Sequence, residues 1–320
     1  MKLLVACLCL ISVFASGGAS AQTYPAKPVK IISPYPPAGG VDVIARLLAQ
    51  VFTDTLGQPF IVENRTGASG KIGTELAARA PADGYTLLLA TSGPNAILPA
   101  VDPKLSYDAV NGFAPISLAA VSDYMLIVHP SLPAKSVPEL IRLARARPGE
   151  VRFASTGTLG TPHLAIEMLE HLAKIDVIHI PYRGGSPATT AVISGEASVL
   201  FASGLTAGAH VESGRVRALA VSGPKRSSHY PNLPAVAEAV PGFDVTQWYG
   251  LMAPAGTPAS IVSLLNSEVA KALRQPNVRQ QIQNQKADPV HTTPEKFAAL
   301  IRADIDRWKR VVKAANIKPE

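Results

Sequence analysis

Two segments of this sequence could hold an anion without any charged side chain. The first is Pro34-Tyr35-Pro36-Pro37-Ala38-Gly39-Gly40-Val41-Asp42 and the second is Ser155-Thr156-Gly157-Thr158-Leu159-Gly160-Thr161. Each follows a strand-like run and opens a helical pattern. Glycine lets backbone N–H groups approach a ligand closely. A helix start adds unpaired N–H donors and the positive end of the helix dipole, which together receive a carboxylate or phosphate. The second segment adds the hydroxyls of Ser155, Thr156, Thr158 and Thr161. Candidate ligand residues are therefore Tyr35, Pro37, Ala38, Gly39, Gly40 and Asp42 in the first segment. In the second they are Ser155, Thr156, Gly157, Thr158 and Thr161. Taken singly, each segment also reads as an ordinary tight strand-to-helix turn. Two of them, in separate halves of the chain, favour a ligand held between them.

Two further segments sit beyond strand ends, where open α/β sheets bind ligands. Thr91-Ser92-Gly93-Pro94-Asn95 offers Thr91, Ser92 and Asn95. Pro181-Tyr182-Arg183-Gly184-Gly185-Ser186-Pro187 offers Tyr182, Arg183 and Gly184, and Ser203 joins the same wall. Arg183 could pair with a carboxylate, although an exposed arginine beside a turn is the simpler reading.

Other patterns lead elsewhere. Thr66-Gly67-Ala68-Ser69-Gly70-Lys71-Ile72-Gly73 is spaced G-x-x-G-x-x-G, neither the dinucleotide fingerprint nor a Walker A loop. It reads as a turn entering a helix through Leu76. His163, Glu167 and His171 share a helical spacing that could chelate a metal, but with no further ligand in view they read as a solvated face. Gly184-Gly185-Ser186-Pro187-Ala188 lacks the last glycine of a nucleophile elbow.

The elements that must place these residues alternate. Strand-like runs are Val29–Ser33, Phe60–Glu63, Tyr85–Ala90, Tyr124–His129, Val151–Ser155, Val177–Ile180, Ser198–Ala202 and Val216–Ser222. Helical patterns lie between them, so parallel sheets covered on both faces are expected. In Gly40–Leu56 the positions Ile44, Leu47, Leu48, Val51 and Phe52 share a face. Ser136-Val137-Pro138-Glu139 is a capping box opening a helix to about Ala146. Thr161-Pro162, Thr257-Pro258 and Thr293-Pro294 each read as an N-cap followed by proline at the first helical position. The last two open closing helices.

Composition bounds the rest. The 320 residues carry 30 Lys+Arg against 23 Asp+Glu, a net charge of +7, with 47% hydrophobic and 17% charged residues. This excludes a disordered chain and suggests two domains. Both cysteines, Cys7 and Cys9, lie in an N-terminal stretch that reads as a signal peptide. Lys2 precedes the apolar run Leu3–Phe14, and Ala19-Ser20-Ala21 is an A-x-A cleavage site. Cleavage there removes 21 of the 320 residues and one lysine, leaving 299 residues at net charge +6 and no cysteine. Thiol chemistry and cysteine metal sites are then excluded. No later run approaches the length of a membrane span, so the mature chain is expected to be soluble. Charge this thin offers nothing to a nucleic acid.

In order along the chain, Tyr24-Pro25-Ala26-Lys27-Pro28, Pro36-Pro37-Ala38-Gly39-Gly40-Val41-Asp42, Leu56-Gly57-Gln58-Pro59 and Val62-Glu63-Asn64-Arg65 are followed by Gly67-Ala68-Ser69-Gly70 and Asp83-Gly84-Tyr85-Thr86-Leu87. Then come Phe113-Ala114-Pro115, Pro181-Tyr182-Arg183-Gly184, Arg217-Ala218-Leu219-Ala220-Val221, Leu233-Pro234-Ala235-Val236, Trp248-Tyr249-Gly250 and Ala253-Pro254-Ala255-Gly256-Thr257-Pro258. This succession, from Tyr24 to about Trp308, resembles the extracytoplasmic receptors of the tripartite tricarboxylate transporters. The resemblance implies an α/β fold of two lobes, the type II periplasmic binding fold, each lobe a mostly parallel sheet flanked by helices. It divides the chain into a leader at 1–21, one lobe from 22–123 plus 250–320, and a second from 124–249. The crossings are expected near Ser122-Asp123 and Tyr249-Gly250. It also implies a carboxylate ligand held by backbone amides, hydroxyls and ordered water. Members commonly carry Asp where this sequence has Ser198, a departure that sets the resemblance against a ligand bearing an ammonium group. Tyr35 stands where Phe is more usual.

The sequence is thus read as a periplasmic solute-binding receptor, not an enzyme, that captures a small organic carboxylate and hands it to membrane subunits of a tripartite tricarboxylate-type transporter. No cofactor, metal or nucleic acid is expected, and the chain is expected to be a monomer. A receptor for a signalling kinase and a periplasmic hydrolase are the alternatives.

Overall fold

Strands and helices alternate as their side chains dictate throughout the computed structural model, which describes residues 24–314. The predicted leader lies outside these residues. The first strand, β1 (Val29–Ser33), is buried on both faces except at Lys30. It leads into α1 (Gly40–Leu56), which buries Ile44, Ala45, Leu48, Val51 and Phe52 and ends at Gly57 in the left-handed region. Then follow β2 (Phe60–Asn64), α2 (Lys71–Ala78), β3 (Thr86–Thr91) and, after a wide turn of helix at Gly93–Ile97, α3 (Leu98–Val101). β1 pairs in parallel with β2 and with β3.

The second half repeats the scheme. β4 (Phe113–Val128), α4 (Val137–Ala146), β5 (Arg152–Ser155), α5 (Thr161–Ala173), β6 (Ile178–Pro181) and α6 (Gly185–Ile193) precede β7 (Val199–Ser203) and α7 (Gly204–Glu212). β5 lies between β6 and β7, parallel to both. β8 (Arg217–Val221), α8 (Val236–Ala239) and β9 (Thr246–Pro254) follow. The chain closes with α9 (Ala259–Ala272), α10 (Pro276–Asn284), β10 (Ala287–Pro289) and α11 (Pro294–Ala314).

The sheet runs β2-β1-β3-β9-β4-β7-β5-β6, with β8 and β10 also on β4. Its flanks are parallel, as expected, but its middle is antiparallel: β9 runs against both β3 and β4. β4 is also sixteen residues long, not the six read from sequence. Phe113–Asp123 pairs with β9, while Tyr124–Val128 pairs with β7 and β8. The strand therefore changes partners between Asp123 and Tyr124. β9 begins at Thr246, opposite Asp123. The expected crossings near Ser122-Asp123 and Tyr249-Gly250 both fall where these two strands pair. Ser222 stitches the two passages: its Oγ accepts from the Tyr124 N–H at 2.9 Å and donates to the Val245 carbonyl at 2.6 Å.

α11 buries Phe297, Ile301, Ile305 and Trp308 in the core that joins the two halves of the sheet. Gly250 in β9 leaves no room for a Cβ against the Phe297 ring, which is why glycine stands in that strand. The three Thr-Pro starts differ. Thr293 caps α11, its Oγ1 accepting from Lys296 N–H at 3.3 Å. In α5 the cap is Gly160, with Thr161 and Pro162 already helical. In α9 it is Pro258 itself. Among the described residues no helix is long and apolar enough to cross a membrane.

Candidate functional site

The strand ends that carry the glycine-rich loops face one another across a cleft of about 1200 Å³. The floor is β4 and β9, which supply Ser122, Tyr124, Gln247 and Tyr249.

The first wall is built on α1. Tyr35, Pro37, Ala38, Gly39 and Gly40 all line the cleft. Gly39 is the N-cap in extended conformation and carries no side-chain cap. The first N–H groups of α1 thus point at the cleft with no partner inside the helix. Asp42 does not line the cleft. It is 3% exposed and works from behind. Its carboxylate accepts from the Ala38 N–H at 3.0 Å, Arg46 Nε at 2.9 Å and Asn64 Nδ2 at 2.8 Å. Burial pushes this carboxyl up, but those hydrogen bonds outweigh it and hold the group below its usual range. Ala38 has φ 64°, a strained value for a residue with a Cβ, and the Asp42 bond fixes it there.

The segment Thr66–Gly70, read from sequence as a plain turn, lines the same wall. Its residues Gly67, Ala68, Ser69 and Gly70 all have positive φ. Leu76, in the helix that follows, is 45% exposed. Tyr35 donates to the Ser69 carbonyl at 3.1 Å and ties the two loops together.

The second wall carries three helix starts. Thr156, Gly157, Gly160 and Thr161 line the cleft at α5, whereas Ser155 is fully buried and Thr158 is not among the lining residues. Tyr182, Arg183 and Gly184 line it at α6, with Gly184 as N-cap. Ser203 lines it at α7 as N-cap, its Oγ accepting from Thr206 N–H at 3.4 Å. Ser198 precedes β7, at the end away from Ser203, and donates its N–H to the Arg152 carbonyl. Replacement of an acid there does not touch the cleft and says nothing about a ligand's ammonium group.

Thr91, Ser92 and Asn95 are each fully buried behind the floor. Ser92 Oγ donates to Gln247 Oε1 at 2.7 Å, and Asn95 Oδ1 accepts from the Thr91 N–H at 3.3 Å. Sequence placed them on the cleft surface because β3 was taken to end in a loop. Instead, helix begins at once and turns these side chains inward.

No aspartate or glutamate lines the cleft, and Arg183 is its one cation, among the described residues. Four helices of 17, 13, 9 and 9 residues start at its edge. Their dipoles make the cleft positive without fixed charges. Burial pushes the phenol of Tyr35 up to about 12, and raises those of Tyr124 and Tyr249, so all three remain neutral donors. His163, Glu167 and His171 do not form a metal site, and no group of three or more ligating side chains occurs among the described residues. His171 is exposed and Glu167 partly so, but His163 is not part of a solvated face. His163 is 7% exposed and stacks on His179 at 3.9 Å.

A family model described as tripartite tricarboxylate transporter family receptor matches residues 44–317. The chain belongs to this receptor family. Protein BugT of Bordetella pertussis is 38% identical over 93% of this receptor and 92% of its own length. An R. palustris protein solved with adipate has a TM-score of 0.85 at 33% identity, covering 93% of this receptor and all of that chain. MatC from Rhodopseudomonas palustris, solved with bound malate, has a TM-score of 0.81 at 30% identity over 90% of this receptor and all of that chain. The fold is the two-lobed one of these periplasmic binding proteins.

Proposed function

We propose that this chain captures a small dicarboxylate between its lobes in the periplasm and delivers it to the membrane subunits of a tripartite tricarboxylate-type transporter, without catalysing a reaction on it. The observation that carries this reading is an acid-free cleft with helix starts on both walls. A carboxylate at α1 and a second at α5–α7 would each meet N–H donors, hydroxyls and the positive end of a helix. Adipate and malate in the related structures are acids of this kind. The cleft exceeds the roughly 300–1,000 Å³ of ordinary ligand pockets, so ordered water would fill the remainder and bridge acid to protein. The lobes divide at Asp123–Tyr124 and Val245–Thr246, and residues 1–21 act as the export signal. Closure about these two passages would bury the ligand and present one surface to a transporter. The protein works as a monomer.

The test is a thermal-shift screen against dicarboxylates of graded length, monocarboxylates, tricarboxylates and amino acids, followed by calorimetry. A ligand that binds only the folded chain raises Tm by mass action. A shift confined to dicarboxylates is expected. A shift with monocarboxylates alone, or turnover of any bound acid, would overturn the reading.

A further inference from the structure

The loops that open α1 and α5 are held by one device made with two chemistries. Asp42 and His163 are each the third residue of their helix. Each accepts the N–H of the residue four places earlier: Ala38 to Asp42 Oδ2 at 3.0 Å, and Leu159 to His163 Nδ1 at 3.1 Å. The donors match in conformation, with φ 64° at Ala38 and 57° at Leu159. Neither residue is glycine, so neither holds that conformation without help.

The acceptors differ in one respect. Asp42 is a carboxylate with three donors around it, and it accepts at any pH near neutrality. The Nδ1 of an imidazole accepts only when it carries no proton. The Nε2 of His163 lies 3.2 Å from Glu167 Oε1, which places the ring's single proton on that side. A second proton would set Nδ1–H against the Leu159 N–H, donor to donor.

The loop's other fixed point leads to the same place. Ser155 Oγ accepts from the Gly157 N–H at 3.2 Å and bonds His179 Nε2 at 2.6 Å. His179 stacks face to face on His163 at 3.9 Å, with 17° between the rings. Two imidazolium rings cannot share that contact. Burial, with His163 beside it, pushes His179 down to about 4, in keeping with a neutral ring there. The charged groups around the pair are Glu167 and Glu170 on α5 and Asp176 before β6. These carboxylates favour a proton on the rings, whereas burial, the ring-on-ring contact and the loop contacts oppose one.

We propose that the His163–His179 pair positions the second ligand loop only in its neutral form, so that acid strong enough to put a proton on either ring loosens this wall of the cleft and leaves the Asp42-held wall intact. Its effect on binding rests on the reading of Ser155–Thr161 as a ligand loop; its effect on the loop does not.

Hydrogen exchange on the whole protein reads the loop directly, with Ala38 as internal control. Between about pH 8 and about pH 4, where His179 takes up its proton, protection of the Leu159 amide should fall about tenfold or more relative to Ala38. In H163N the side-chain carbonyl can still accept and does not titrate, so the fall should vanish. Nitrogen shifts of His163 should place its proton on Nε2 at the higher pH. Leu159 and Ala38 changing in step, or a proton on Nδ1, would overturn the proposal. If H163N does not fold, the wild-type exchange and nitrogen shifts still decide. Calorimetry with adipate and malate adds the binding readout. Affinity should drop more on acidification in wild type than in H163N, and equal drops would overturn a role in binding. Failure of both acids to bind at either pH would count against adipate and malate as ligands, leaving the exchange measurement to decide here.

Discussion

Ser92 donates its hydroxyl to the side-chain oxygen of Gln247 at 2.7 Å, across the back of the cleft floor. Tyr124 donates to the same oxygen at 3.1 Å. With Oε1 claimed twice, the amide of Gln247 is oriented, and its NH₂ is left as a donor on a residue that lines the cleft. Ser92 thus serves a ligand through another side chain, although it never reaches the surface itself.

Q247E should separate these roles. The carboxylate keeps both acceptor contacts but presents negative charge to the cleft in place of a donor. Hydrogen bonds to charged groups contribute about 1.5–3 kcal/mol, so affinity for an anion should fall at least by that amount. Tm without ligand should change little. Calorimetry beside a melting curve checks both, and undiminished affinity would remove Gln247 from the site.

The glycines of the first wall should respond differently. A Cβ on Gly40 would sit 3.6 Å from the Tyr249 hydroxyl, an ordinary contact, so G40A should fold normally. It would still place a methyl group over the N–H donors of α1, and binding should weaken about tenfold or more, the factor that 1.4 kcal/mol represents. Gly70 has φ 91° and a Cβ there would lie 3.2 Å from Pro94 and 3.3 Å from the Tyr35 ring. G70A should therefore cost stability, about 1–3 kcal/mol for a side chain forced into that region. Denaturant midpoints for the two variants test the contrast.

Thr158 and Thr161 looked alike in sequence, and the fold distinguishes them. Thr161 is the first residue of α5 and lines the cleft; Thr158 does not. T161V should lose about 1–3 kcal/mol of ligand binding, the cost of leaving a buried partner unsatisfied. T158V should bind as wild type does. Equal losses would show that the loop closes further over a ligand than it does in this structure.

What could be read from residues alone was what is local. β1 at Val29–Ser33 and α1 at Gly40–Leu56 were placed to the residue, because burial period, start and stop signals all lie within the segment. The floor of the site was missed for the opposite reason. Tyr124, Gln247 and Tyr249 meet only through a register between strands over a hundred residues apart, such as Asp123 opposite Thr246. Nothing local marks β9, and Pro115 disguises the first half of β4. Thr66–Gly70 was dismissed because its glycines fail a nucleotide pattern, while its function in the wall comes from four positive φ values that no spacing rule encodes. The Asp42 bond to Ala38 was legible in principle, since an acid at the third helical position often reaches back to the helix start.

A partly buried carboxyl, Glu170, sits on the helix of the second wall. Burial, together with Glu167 and Asp176, raises the Glu170 carboxyl to about 7, against the hydrogen bond it accepts from Val177 N–H at 2.9 Å. A raised carboxyl in the folded chain means that the folded state binds more protons than the unfolded one between about pH 4.5 and 7. Stability from this group therefore falls as pH rises through that window. His179, pushed down to about 4 from 6.5, works the other way: its contribution grows as pH rises from 4 to 6.5. The two oppose each other between about 4.5 and 6.5, and above 6.5 only the Glu170 cost is still growing. E170Q keeps an acceptor for Val177 and removes the charge. Its Tm should exceed that of wild type at pH 8, and the gain should shrink toward zero at pH 4.5, where the wild-type carboxyl is protonated in the fold. Melting curves across this range test the assignment, and a gain independent of pH would attribute the stabilisation to packing rather than to the buried charge.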